Sequence, residues 1–337
     1  MRIGITYDLK TESVSTEGFA SQLPDDWQEE FDSPATLDAV SAALADLGHE
    51  VQLLGNGREL LERLLSDPPD FVFNMAEGHG VSRSREARVP AVLEMLGIPF
   101  TGSDPLTLAS TLDKDCAKRL VQAAGVAAPR GVVVENECPK VEDSLPFPVI
   151  VKPAWEGSSK WIRSNCLVTD ADQLSEALES LQAYHRQPIL IEEFIDGDEL
   201  TVGILGNELR EIMGIMRVIP RQPTARFVYS LDVKRDYVRQ VRYECPACLP
   251  ANSLDKVSQA ALTVYRALGC RDVARIDFRL RDGIPYFLEA NPLPGLNPES
   301  SDLVIMARLC GWSYQKLIET IFQAAMTRQW SVVSCQL

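Results

Sequence analysis

Histidine is scarce in this chain: only His49, His79 and His185 occur. A His-rich metal site is excluded, and a Ser–His–Asp triad would have to use one of these three. No apolar run reaches the roughly 18–20 residues of a membrane helix, and nothing resembling a leader precedes the first apolar run. A cytoplasmic protein with no membrane partner is expected. The patterns G-x-x-x-x-G-K-[ST], G-x-S-x-G and H-E-x-x-H are all missing, which removes a P-loop, a hydrolase elbow and a zincin. Gly55-Asn56-Gly57 starts like a dinucleotide fingerprint but lacks the third glycine and a fitting strand–helix context. Positive charge is short as well. A net charge of −15 over 337 residues leaves no basic face for a phosphate backbone, so no nucleic-acid partner is expected. A small basic pocket stays open. Eight scattered cysteines are too few for a disulfide scaffold, and Cys245-Pro246-Ala247-Cys248 is the one C-x-x-C. Without a second pair or a nearby histidine it reads as two small residues in a strand-to-loop segment, not as zinc ligands.

What is present is regular. Ile3, Ile5 and Tyr7 alternate in a strand over 2–8. Residues 9–32 make an acidic loop carrying Asp25, Asp26, Glu29, Glu30 and Asp32. Such charge usually faces water, yet a long loop in a compact domain is often functional. Ser33 as N-cap, Pro34 after it, and Leu37, Val40, Leu44 and Leu47 at helical spacing predict a helix ended by Gly48. Strands at 51–54, 71–75 and 98–101 alternate with helices near 59–65 and 86–96, which implies a parallel sheet flanked by helices. The texture changes after Gly102. The spacing predicts a helix over 113–124, strands at 130–134, 149–153 and 189–195, a small-residue loop at 155–161 and a helix over 170–184. Strands then dominate (200–205, 212–219, 238–243), followed by a helix over 255–268, a hairpin of 274–280 with 285–290, a last helix over 314–327, and a tail at 329–337 outside any core. The fold class is α/β followed by α+β, and the length allows two or three domains.

Three features carry chemistry. Arg275-Ile276-Asp277 lies on one strand of the predicted hairpin and Glu289-Ala290-Asn291 closes the other. Period-two spacing puts Arg275 with Asp277, and Glu289 with Asn291, on one face. Asp277, Glu289 and Asn291 then form an oxygen-only set suited to Mg²⁺ or Mn²⁺, with phosphate oxygens completing the shell, and Arg275 can stabilise negative charge beside them. A surface hairpin of alternating charges has the same pattern. Second, Lys152 ends an apolar strand before Glu156-Gly157-Ser158-Ser159-Lys160, an arrangement that can hold phosphates or can simply be solvated. Third, Glu192 and Glu193 sit at the end of a strand before Phe194 and Gly197-Asp198-Glu199, where an acid can accept from an adenine amine or ribose hydroxyls, or face solvent.

Taken in order, these segments resemble the ATP-grasp superfamily and, within it, the D-alanine–D-alanine ligase family. The resemblance is carried by Thr101-Gly102-Ser103, Leu112-Asp113-Lys114, Val149–Pro153, Glu156-Gly157-Ser158-Ser159, residues 191–201, Cys245-Pro246-Ala247, Arg275-Ile276-Asp277, Leu288-Glu289-Ala290-Asn291 and Pro294-Gly295, and it covers about residues 30–325. It implies an ATP-grasp fold preceded by a parallel-sheet α/β (pre-ATP-grasp) domain. The domains would be 1–105, a central lid 106–196, and 197–330, with 331–337 a tail. It implies an ATP-dependent, ADP-forming carboxylate–amine ligase working through an acyl phosphate, with ATP and two Mg²⁺ (or Mn²⁺) ions. The substrates would be small amino acids, first among them D-alanine for peptidoglycan, and a homodimer is expected by analogy. A ligase for other amino acids or dipeptides outside the cell wall, or a nucleotide-binding protein without catalysis, are the alternatives.

The resemblance also implies roles. Lys114 and Lys152 contact ATP phosphates, and Ser158 and Ser159 lie in the loop that closes over them. Glu192 and Phe194 border the adenine, and Glu199 takes the ribose. Asp277, Glu289 and Asn291 hold the magnesium, Arg275 stabilises the tetrahedral oxyanion, and Lys234 sits near the γ-phosphate. Glu29 or Glu30 holds the first substrate's ammonium. Departures from the family pattern are Glu77 where a histidine is usual, Arg235 where a tyrosine is usual, Trp161 where glycine is usual, and Glu299-Ser300-Ser301-Asp302-Leu303 near the second substrate.

Overall fold

The computed structural model describes residues 1–10, 24–135, 145–157, 159–184 and 187–334. Ser158, expected in the phosphate loop, lies outside the described residues, as does His185. Among the described residues three sheets organise the fold. The first is parallel, in the order β2 (Glu50–Gly55), β1 (Arg2–Thr6), β3 (Phe71–Asn74). Ile3 and Ile5 are fully buried against Leu37, Val40 and Leu44 of helix Pro34–Asp46. That helix starts as its sequence predicts: Ser33 Oγ accepts from Thr36 N at 3.2 Å, with Pro34 in the first turn. The strand expected at 98–101 is only an isolated bridge between Phe100 and Val72, hemmed in by left-handed glycines at 97 and 102.

The second sheet is antiparallel and ordered β4 (Gly131–Val134), β7 (Ile189–Glu193), β5 (Val149–Pro153), β6 (Leu167–Val168). Helix Ala171–Tyr184 covers it through Leu174, Leu178 and Leu181, which meet Val149, Val151 and Ile191. The third sheet, also antiparallel, runs β10 (Val241–Glu244), β9 (Glu211–Pro220), β8 (Asp198–Leu205), β11 (Val273–Arg281), β12 (Ile284–Asn291). Its apolar face, with Val202, Ile204, Ile276, Phe278 and Phe287, packs on helix Ala251–Ala267.

The first and third sheets share one core. Helix Tyr314–Ser334 lays Leu317, Ile318, Ile321 and Phe322 among Ile3, Ile5, Phe71, Phe73, Leu205 and Val273. Asp272, wholly buried, fastens the same seam: it accepts from Gly102 N at 2.8 Å, Asn207 Nδ2 at 2.9 Å and Arg328 Nη2 at 2.9 Å. The terminal helix therefore runs on to Ser334 and does not stop near residue 327.

Other differences from the sequence pattern have local reasons. Helix Pro105–Leu112 was not expected, although Asp104 caps it (Oδ1 to Thr107 N, 2.9 Å) and Pro105 opens it. The strand expected over 238–243 is a helical turn, Tyr237–Gln240, before the short β10, and Val238 points to solvent. Gly55-Asn56-Gly57 does join a strand to a helix. The helix N-terminus is closed by Asn56, whose amide donates to Asp8 at 3.0 Å. Cys245 lies 3.4 Å (Sγ–Sγ) from Cys310, while Cys248 is exposed, so the C-x-x-C is not a ligand pair.

Candidate active site

The β11–β12 hairpin sets the centre of the site. Register pairs Arg275 with Asn291 and Asp277 with Glu289, with an irregularity just after Asp277. Buried Arg275 reaches three carboxylates: Asp277 at 2.9 Å, Glu289 at 3.7 Å and Asp302 at 3.7 Å. Asn291 Nδ2 donates to Asp277 Oδ2 at 3.4 Å. From the opposite side Lys114, in the first turn of helix Lys114–Ala123, approaches Glu289 at 3.3 Å and donates to the Glu156 carbonyl. Burial pushes the Asp277 carboxyl up to about 6 against the pull of Arg275. Burial acts on Glu289 in the same sense, but Lys114, Lys234 and Arg275 outweigh it and hold that carboxyl well below the usual range. The two acids thus differ: Glu289 is ionised at any physiological pH, Asp277 less firmly so.

Beside this lies a second group around Glu192. Its carboxylate bridges Lys118 at 2.8 Å and Lys152, all three buried. Burial alone would raise its pKa, but the two ammoniums bring it down to about 2. Glu192 is thus not a free acceptor at the strand end. Glu199 is paired as well, with Arg279 at 2.6 Å, and Arg279 stacks over Phe194 at 5.4 Å.

These residues line two adjoining cavities that share Lys234, Glu289 and Asp302. One is bounded by Lys152, Ser159, Glu192, Phe194, Glu199 and Asp277. The other is bounded by Glu29, Glu30, Lys114, Arg275 and Asn291. Every described residue expected at the site therefore faces one chamber or the other.

The acidic segment does something the sequence did not suggest. Glu29 and Glu30 were expected to offer one free carboxylate to a substrate ammonium, and both are already paired. Glu30 accepts from Arg85 Nη2 at 2.8 and 2.9 Å, from Gly157 N at 2.6 Å and from Lys160 at 3.2 Å. Glu29 pairs with Arg235 at 2.8 Å. Asp26 accepts from Trp161 N at 2.9 Å, and Asp25 takes Arg163 and Arg235. These bonds latch the 155–161 loop to the acidic segment and give two departures a physical basis. Arg235 is the counter-charge for Asp25 and Glu29. Trp161 keeps the left-handed backbone (φ 64°) that glycine favours, held there by Asp26. Arg85 completes the buried pair with Glu30. Glu30→Gln keeps the shape but removes the charge facing Arg85 and Lys160. It is expected to lower stability by about 1–3 kcal/mol and to speed proteolytic cutting within the loop. Unchanged cutting would show that the loop is held elsewhere.

Sequence reading missed Lys118, Arg85, Arg279, Tyr229 and Asp302. Two left signals: Lys118 is one helical turn past Lys114, and Arg279 continues the period-two series of Arg275 and Asp277. Asp302 accepts from Tyr229 Oη at 3.0 Å and sits in the segment where the pattern had drifted. Nothing in the chain order ties it to Tyr229.

A family model described as D-ala D-ala ligase C-terminus matches residues 122–323. The D-alanine--D-alanine ligase of Aquifex aeolicus is 35% identical over 292 residues, spanning 84% of this chain and 92% of the relative. An uncharacterized protein, y4sG, of Sinorhizobium fredii is 36% identical over 302 residues, spanning 86% and 87%. The crystal structure of D-alanine--D-alanine ligase from Bacillus anthracis superposes with a TM-score of 0.73 at 25% identity, covering 98% of this chain and 99% of that one.

Proposed function

Since the chain belongs to the D-alanine–D-alanine ligase family of the ATP-grasp superfamily, we propose that it is an ATP-dependent, ADP-forming ligase joining two D-alanine molecules by a peptide bond. The observation that supports this is the pair of adjoining cavities that share Lys234, Glu289 and Asp302, one lined by Lys152, Phe194 and Glu199 and the other by Lys114 and Arg275. A carboxylate oxygen of the first amino acid attacks the γ-phosphorus of ATP, and ADP leaves. The second amino acid's amine attacks the acyl-phosphate carbon, inorganic phosphate departs, and the amine gives up a proton. Phosphorylation converts a poor electrophile with a poor leaving group into a good one.

Lys114 and Lys152 are positioned to meet phosphate oxygens, exchanging part of their present pairing with Glu289 and Glu192 for the ligand. The Phe194 ring borders the nucleotide cavity and Glu199 stands at its rim. The donor set of Asp277, Glu289 and Asn291 fits one or two Mg²⁺ (or Mn²⁺) ions: it is all oxygen, and Glu289 is firmly ionised. Such ions, when bound, would offset charge on the phosphates. Arg275, held by Asp277 at 2.9 Å and Asp302 at 3.7 Å, is assigned the tetrahedral oxyanion in this reading. Arg275→Ala should lower amide formation about 10²-fold, the scale of one oxyanion donor, while ATP binding measured by fluorescence changes little. Weakened ATP affinity with normal turnover would contradict the role.

No described helix is long and apolar enough to cross a membrane. A cytoplasmic location, where ATP is supplied, and a homodimer belong to the same proposal. The deciding experiment is phosphate release with ATP, Mg²⁺ and pairs of D- and L-amino acids. Release with D-alanine alone supports the proposal, and ATP binding without release across the panel refutes it.

A further inference from the structure

One end of the substrate cavity is lined by more carboxyl groups than cationic side chains. Glu29, Glu30 and Glu156 line it but are paired within the protein, with Arg235, Arg85 and Lys160. Asp32, Glu77 and Glu86 line it too, and among the described residues none of these three has a side-chain hydrogen bond or ion pair. Glu86 matters most, because it is only 8% exposed and the surface it keeps faces the cavity. A buried carboxylate without a partner is costly unless something brings it a proton or a cation. Arg85 lies alongside, but its guanidinium is taken by Glu30 and by the Trp155 carbonyl at 2.6 Å. Lys10 lines the same cavity and is exposed. Consistent with this, burial raises Asp32 to about 7, with Asp8 adding to it, and raises Glu86 to about 8, with Glu30 and Glu156 adding to it against Arg85, so an arriving ammonium would replace a proton.

The occupant's chemistry follows from the count. Asp32, Glu77 and Glu86 do not converge as three ligands of one metal ion. The cavity continues to Lys114 and Arg275, where a substrate carboxylate reacts. A ligand must therefore offer a carboxylate to one end and positive charge to the other. A monoamino acid brings one ammonium to three unpartnered acids; a diamino acid brings two. We propose that the first-substrate end also takes a diamino acid, whose side-chain ammonium sits at Glu77 and Glu86 while its α-ammonium is shared with Asp32. This rests on the ligase reading and widens its first substrate beyond D-alanine. The reaction is the one already written, with the extra ammonium a spectator.

The test measures phosphate release with ATP and Mg²⁺ for 2,3-diaminopropionate, 2,4-diaminobutyrate, ornithine and lysine, each as D and L forms, against D-alanine. At least one diamino acid should have a kcat/KM equal to or above that of D-alanine. Glu86→Gln and Glu77→Gln, near-isosteric and checked for an intact melting transition, should each reduce the diamino-to-alanine ratio by about tenfold or more. Turnover of D-alanine with no diamino acid used would overturn the proposal, as would a ratio unchanged in both variants. If no amino acid releases phosphate, the ligase reading fails by itself. Calorimetric binding of the same diamino acids against D-alanine then decides the seat: preferential binding lost in Glu86→Gln supports it, and equal or absent binding refutes it.

Discussion

Glu192→Ala is expected to destabilise the protein by about 3–5 kcal/mol, because it strands two buried ammoniums at once. Lys118 and Lys152 both terminate on this one carboxylate, and all three groups are buried between the second sheet and helix Lys114–Ala123. Removal leaves like charges facing each other across the space of a missing side chain. Urea denaturation of wild type and variant measures the effect. Its pH dependence has a definite sign. The native carboxyl sits at about 2, below its ordinary 4.5, so its contribution is whole above about 4.5 and is lost as pH falls toward 2. The gap between wild type and variant should therefore be full at neutral pH and narrow in acid. A variant of normal stability that loses only ATP affinity would make Glu192 a reader of the nucleotide instead of the keystone of a charge cluster.

Glu289→Ala is expected to abolish Mg²⁺-dependent ATP turnover, by at least ~10²–10³-fold, the scale of removing a group that organises transition-state charge. Its stability cost should be smaller than that of Glu192→Ala. Arg275 keeps Asp277 and Asp302, and Lys114 keeps the Glu156 carbonyl. Thermal shift separates ligand loss from misfolding. In wild type MgATP should raise Tm more than ATP without metal, following mass action on the native state, and in the variant that difference should vanish. Normal turnover in Glu289→Ala would sink the metal assignment.

The sequence announced those parts of the site that sit on regular strands. Arg275, Asp277, Glu289 and Asn291 could be placed on one face because a strand alternates with period two, and the register across β11 and β12 keeps that order. Lys152 at the end of β5 was legible for a similar local reason, whereas Lys114 was marked only by the family resemblance. What was not legible was pairing at long range. Glu30 and Arg85 are 55 positions apart, and Asp25 and Arg235 are 210 apart. No local pattern says which charge meets which. The acidic segment therefore looked like a solvated run or a substrate clamp, and its role as a partner for arginines appeared only in three dimensions. In the fold, the parallel sheet followed from strand–helix alternation and the β11–β12 hairpin from two strand runs joined by a turn, while the extent of the two antiparallel sheets did not. The shared core of the first and third sheets did not, since it depends on a terminal helix whose continuation to Ser334 accompanies the Arg328–Asp272 pair.

The latch between the 155–161 loop and residues 25–30 is made of carboxylates, guanidiniums, an ammonium and backbone amides. Its thermodynamic character is therefore unlike that of the cores around it. Opening it exposes little apolar surface, so the heat-capacity change of loop opening should be close to zero. Added salt should loosen the exposed Asp25 pairs first and the buried Glu30 pairs hardly at all. Desolvating charge becomes less costly as temperature rises. The loop should thus hold its closed position on warming better than an oily contact of equal strength, and ionic strength more than temperature would set how often the chamber opens.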